Sequence, residues 1–159
     1  MGWRERFLMR FGPGLLGGIT LRDWLGLLGQ ENFAIDPSCF LRAASITAQS
    51  LKNSAVRACE IRRFGPRLKE IVVPPPLFIL GHWRNGTTHL HQLLVQDKRF
   101  AFPNTYQVAF PHTFLTTEAT DRRVLSFFCP ARRPMDNVEW TLASPQEDEF
   151  ALCTATFKS

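Results

Sequence analysis

Pro76-Leu77-Phe78-Ile79-Leu80-Gly81-His82-Trp83-Arg84-Asn85-Gly86-Thr87-Thr88-His89-Leu90-His91-Gln92-Leu93-Leu94-Val95 is the stretch on which the fold reading turns. Leu77 to Leu80 form an unbroken apolar run between Pro76 and Gly81. It is too short for a helix and suits a strand covered on both faces of a parallel sheet. Gly81 and Gly86 bracket four residues, and from Thr87 onward Leu90, Leu93 and Leu94 recur at helical spacing. A glycine-bounded turn from strand into helix aims several backbone N–H groups and the positive end of the helix dipole at one spot. Such a spot favours a phosphate or a sulfate.

Outward from this stretch, the 159 residues suffice for one ordinary domain or a piece of a larger one. An apolar share of 45%, with 14 Phe and 4 Trp, supplies a core and excludes a disordered chain. The net charge of +5 points only weakly to an anionic partner, because the cations are scattered. They gather in small clusters at Arg4/Arg6/Arg10, Arg57/Arg62/Arg63/Arg67, Arg122/Arg123 and Arg132/Arg133, for which solvated faces are the plainer account. No nucleic-acid partner is expected. Cys39, Cys59, Cys129 and Cys153 are dispersed, with no C-x-x-C pair and no histidine in ligand register. That excludes the usual zinc and secreted-disulfide patterns, leads us to expect no metal, and fits a reducing cytoplasm. No apolar run approaches the ~18–20 residues of a membrane span, and the amino terminus lacks a small-residue cleavage site.

Read in order, residues 1–19 form a loose basic and apolar lead-in. Thr20 and Asp23 make a helix start, followed by Leu21, Trp24, Leu25 and Leu28 at helical spacing up to Gly29. With arginines nearby, the Trp24 face suits either a membrane surface or packing against the domain. Asp36-Pro37 starts a long helix that should end at Gly65-Pro66. Phe40, Leu41, Ala44, Ala48, Leu51, Ala55, Ala58, Cys59 and Ile61 can share its buried face. Ile71 to Pro76 is a stiff extended lead into the central strand. Beyond the loop we expect a helix over 87–96, an aromatic, proline-punctuated connection with a short strand over 97–111, and a helix over 117–128. A last helix should start at Ser144-Pro145-Gln146-Glu147, with Ser144 as cap and Glu147 as its capping-box partner.

The spacing G-x-x-x-x-G-T-T overlaps the nucleotide P-loop, but Thr87 stands where that pattern requires the Lys that reaches the terminal phosphates. The cation here is Arg84, inside the turn. A cradle of backbone N–H groups, two hydroxyls and a guanidinium suits an anion transferred without a metal.

On these residues the chain resembles the sulfotransferase family. L-F-I-L-G-H-W-R-N-G-T-T-H-L-H-Q-L-L is similar to its 5′-phosphosulfate-binding loop. F-A-F-P-N-T-Y-Q, Pro111-His112, R-P-M-D-N and S-P-Q-E-D-E-F-A-L resemble a mainly bacterial branch. The resemblance runs from about Pro74 to Cys153. It implies an α/β fold, a P-loop-like three-layer sandwich with a parallel sheet, with residues 1–73 a helical amino-terminal region and 74–159 the amino-terminal part of the sulfotransferase domain. It implies sulfuryl transfer from 3′-phosphoadenosine-5′-phosphosulfate to a hydroxyl or amine acceptor. Gly81, Arg84, Asn85, Gly86, Thr87, Thr88 and His89 would form the donor-binding loop, with Arg84 also stabilising the bridging oxygen as the S–O bond breaks. His112, Glu147 and Glu149 are candidates for the general base. The family's 3′-phosphate site lies well downstream of the loop, so the expectation is a partial domain.

Plainer accounts stand beside these. His82 and His89 could merely pack beside the loop, and His89 and His91, two apart, point to different sides of a helix. Glu147 could serve only as a cap, Trp83 and Phe78 as core, and Arg132 and Arg133 as solvated charge. Two rival functions also remain at this point. One is a P-loop nucleotide kinase or hydrolase. The other is a non-catalytic protein of the membrane periphery with a vestigial loop.

Overall fold

The structure, a computed structural model, describes residues 14–82, 85–126 and 141–156. A 3₁₀ turn at Gly14–Gly18 leads to α1 (Leu21–Gln30), and a second at Pro37–Cys39 leads into α2 (Phe40–Leu68). Then follow α3 (Thr87–Leu94), α4 (Thr105–Ala109), α5 (Phe114–Ser126) and α6 (Asp148–Thr156).

The helix starts read from sequence in the amino-terminal region form as expected, and for local reasons. Thr20 caps α1 by accepting the Asp23 amide, and Asp36 accepts the Ser38 amide ahead of Pro37. The Trp24 face turns inward. Trp24 forms a core with Ile19 and Ile46, and its indole Nε1 donates to Thr47 Oγ1 at 2.9 Å. Leu16, Leu21, Leu27, Leu28 and Ala43 pack around this cluster. Each aliphatic side chain fully buried there contributes about 1.5–3 kcal/mol.

The long helix departs from expectation twice. It runs through Pro66 to Leu68 rather than stopping at Gly65-Pro66. Proline in a last turn forfeits a single ladder bond near a frayed end, so the break comes late. Its buried face is also not the apolar one. Phe40, Leu41, Leu51 and Ile61 are exposed, while Ile46, Ser50, Asn53 and Glu60 are buried. The polar members are buried because each finds a partner. Asn53 Nδ2 donates to the Gly17 carbonyl at 2.8 Å and the Ile19 carbonyl at 2.9 Å, tying the first turn to α2. Ser54 Oγ accepts the first amide of α1, from Leu21. Glu60 Oε1 accepts the Thr116 amide at 2.7 Å, a carboxylate set at the amino end of α5 where the dipole favours it.

A second centre forms around Tyr106, which is fully buried and stacks on Phe110. Its hydroxyl donates to Thr117 Oγ1 at 2.7 Å, and Thr117 in turn donates to the Thr113 carbonyl. The segment expected to hold a strand instead carries the short helix α4. Asn104 accepts the Gln107 amide while Gln107 Oε1 accepts the Asn104 amide, a reciprocal cap. Helix α5 starts at Phe114, three residues earlier than read.

Among the described residues no strand ladder forms. One antiparallel bridge joins Asn104 to Pro145, flanked by bonds from the Thr105 amide to the Ser144 carbonyl and from the Gln146 amide to the Pro103 carbonyl. The stretch 71–80 carries no regular structure. Val72, Val73, Phe78 and Leu80 are 75–91% exposed, and only Ile79 is half-buried.

Candidate functional site

The glycine-bounded turn has the local geometry that an anion cradle needs. The Asn85 amide donates to the His82 carbonyl at 3.2 Å and closes the turn. Gly86 follows with φ 79°, in the left-handed region that a side chain strains to enter, and begins α3. A glycine at this N-cap offers no side-chain acceptor, so the first-turn amides are left facing outward for a ligand or water. Gly81 is needed for a different reason. A Cβ there would stand 2.6 Å from the Thr87 methyl, so the chain on the two sides of the turn touches through a missing side chain. Thr87 and Thr88 are half-buried, whereas Asn85, Gly86 and His89 are exposed. Trp83 and Arg84 lie outside the described residues.

Of the three candidates for the general base, the structure brings one to the loop. Thr88 Oγ1 donates to Glu147 Oε1 at 3.0 Å across 59 positions of chain. Glu147 is not the capping partner of Ser144. Helix α6 begins at Asp148, and Ser144 Oγ instead accepts the Thr141 amide at 3.0 Å. Bridge geometry around Pro145 outcompetes the expected cap and sets Glu147 beside α3. Glu149 is exposed in the first turn of α6.

His112 is half-buried, and its Nε2 is a buried nitrogen with no hydrogen-bond partner among the described residues. Burial first, and then the nearby Arg57 guanidinium, push its pKa below the usual histidine value, against an opposing pull from Asp23. The imidazole is therefore held neutral near neutral pH, the form a proton acceptor requires. Tyr106 is a further buried titratable group, its pKa raised to about 12 chiefly by burial. Sequence reading passed over it, although Asn104-x-x-Gln107 carries the capping signal that would have placed it on a helix. Among the described residues no group of three or more His, Cys, Asp or Glu is placed to hold a metal ion. The motif Arg132 to Asn137 and Cys129 lie outside the described residues.

The family model described as the sulfotransferase family matches residues 75–159, from just ahead of the apolar run through α6. The chain belongs to the sulfotransferase family. The chain is also 40% identical over 152 residues to the omega-hydroxy-beta-dihydromenaquinone-9 sulfotransferases of Mycobacterium bovis and Mycobacterium tuberculosis. The aligned region is 95% of this chain and 38% of each relative, so the chain spans well under half the length of the curated relatives it matches. No solved structure matches it. Membership implies a small-molecule sulfuryl donor and an acceptor.

Proposed function

We propose that the chain carries the donor-binding part of an enzyme that moves a sulfuryl group from 3′-phosphoadenosine-5′-phosphosulfate to a hydroxyl acceptor. The observation that supports this is Gly86, left-handed at the start of α3 with no side-chain cap, in a turn whose Thr87 replaces the lysine a nucleotide hydrolase needs. Backbone amides of α3 and the Thr87 hydroxyl hold the 5′-phosphosulfate, and Arg84 neutralises charge on the leaving phosphate. The acceptor oxygen attacks sulfur, the bond from sulfur to the bridging oxygen breaks, and the acceptor proton passes to a base on the protein. His112, held neutral by burial and Arg57, has the protonation state for that step.

In this reading the exposed apolar run 77–80 is the first strand of the parallel sheet, awaiting neighbours on both faces. The three-layer α/β sandwich belongs to the proposal with it. The acceptor class follows the mycobacterial relatives, which are omega-hydroxy-beta-dihydromenaquinone-9 sulfotransferases: a hydroxyl on a menaquinone-like molecule. A cytoplasmic enzyme working against the membrane surface fits that acceptor, and the free thiols of Cys39, Cys59 and Cys153 fit a reducing compartment. No helix among the described residues is long and apolar enough to cross a membrane.

The test is equilibrium binding of 3′-phosphoadenosine-5′-phosphate to the chain together with whatever sequence follows it in its gene. Binding without magnesium is the expected result; its absence, or magnesium-dependent ATP binding in its place, removes the proposal. In the same protein Arg84→Ala should cost about 2.7–4 kcal/mol of transition-state stabilisation, by analogy with the loss of an oxyanion donor.

A further inference from the structure

A side-chain hydrogen bond from Thr88 to Glu147 joins the donor loop to a segment 59 positions further along the chain, and neither the loop motif nor the helix pattern foretold it. We propose that Glu147 is a positioning residue for the donor loop, acting through Thr88, rather than the general base. The inference rests on the sulfuryl-transfer reading and gives that site one more working part.

A hydroxyl has one proton to donate. With that proton directed at Glu147 Oε1 3.0 Å away, the Thr88 side chain is not a donor to an incoming phosphosulfate. Its contribution to the anion is the backbone N–H, the second of α3, and the hydroxyl anchors that amide in place. The anchor is needed because α3 has only eight residues, and Leu90 and Leu93 on it are 47% and 57% exposed. So short a helix does not hold itself, and little burial fixes its end.

Glu147 has firm support. It follows the bridge at Pro145, where the Gln146 amide bonds to the Pro103 carbonyl at 3.0 Å. The Tyr106 amide bonds the Leu142 carbonyl at 3.0 Å a few residues earlier. The carboxylate thus ties the amino end of a short helix to the hydrogen-bonded segment around Tyr106. Its charge also lies beside the positive end of the α3 dipole, which favours the contact.

The test separates an acceptor of a hydrogen bond from an acceptor of a proton. Glu147→Gln keeps an oxygen for Thr88 and loses basicity, and Thr88→Ser keeps the hydroxyl. Both should bind 3′-phosphoadenosine-5′-phosphate within about threefold of the parent, and Glu147→Gln should keep the acid limb of the rate profile. Glu147→Ala and Thr88→Val should each weaken that binding about tenfold, as expected for one lost hydrogen bond, and the double variant no further. A loss of kcat of about a hundredfold or more in Glu147→Gln, with the acid limb of the rate profile gone and nucleotide affinity unchanged, would make Glu147 the base and overturn the proposal. Additive losses in the double variant would overturn it too.

Thermal melting of the unliganded protein keeps the two readings apart. Coupling between Thr88→Val and Glu147→Ala in Tm, with no nucleotide bound by the parent, would sink sulfuryl transfer and leave a purely structural link. Nucleotide binding by the parent with no such coupling would sink the positioning role alone.

Discussion

The region from Gly14 to Leu68 and the region from Ile71 to Leu94 are both rich in apolar residues, yet they are held in opposite ways. In the first, order comes from polar groups buried with their partners: Asn53 on two carbonyls, Trp24 on Thr47, Ser54 on the Leu21 amide. In the second, Val72, Val73, Phe78 and Leu80 stay largely exposed, and the turn beyond them is shaped by glycine geometry and joined to Glu147 through Thr88. Apolar content therefore says how much a segment could bury. Hydrogen-bond partners decide where it is held.

The contrast can be broken most forcefully at Asn53. Asn53→Leu leaves the Gly17 and Ile19 carbonyls unpaired in a buried setting and should cost about 3 kcal/mol, read from urea unfolding. Hydrogen exchange should show the loss in α1 and α2 while α3 is unchanged. If α3 loosens equally, the two regions are one cooperative unit and the contrast fails.

Next comes Gly86. A side chain at φ 79° costs about 1–2 kcal/mol, so Gly86→Ala should weaken 3′-phosphoadenosine-5′-phosphate binding about tenfold with little change in the unfolding of α2.

Titration sharpens the same contrast. Tyr106 is raised from 10.0 to about 12 in the folded state, so its contribution is complete below pH 10 and is lost as pH rises from 10 towards 12. Tyr106→Phe should flatten that alkaline loss in the urea midpoint. His112 is shifted the other way. Its folded value lies below the unfolded one, so stability is present above about pH 6.5 and falls as the pH drops through the folded value. His112→Phe should make the acid limb shallower.

The smallest effect belongs to Phe33, at φ 58° after α1 and 60% exposed. Phe33→Gly should stabilise by up to ~1 kcal/mol, the left-handed strain removed less the added freedom of the unfolded chain.

Much of the site was legible for a local reason. A left-handed glycine before a helix, a threonine pair and an Asp-Pro start act within a few residues, and their signals lie within a few residues. The Thr20 cap, the Asp36 start and the Gly86 turn appear where the pattern put them. The capping pair Asn104–Gln107 was equally local, and it was masked by the prolines and aromatics around it. The Ser144 cap was misread because a bridge to Asn104, 41 positions away by number, competes for the same backbone.

By itself, the sequence determined the family, the glycine-bounded turn and the positions at which the amino-terminal helices begin, since each rests on short-range geometry and residue type. Tertiary structure alone decided which face of α2 is buried, that Glu147 meets Thr88, and that a half-buried His112 feels the charges of Arg57 and Asp23. Those outcomes depend on partners tens of residues apart, where a buried polar group with a bond can displace an apolar face without one.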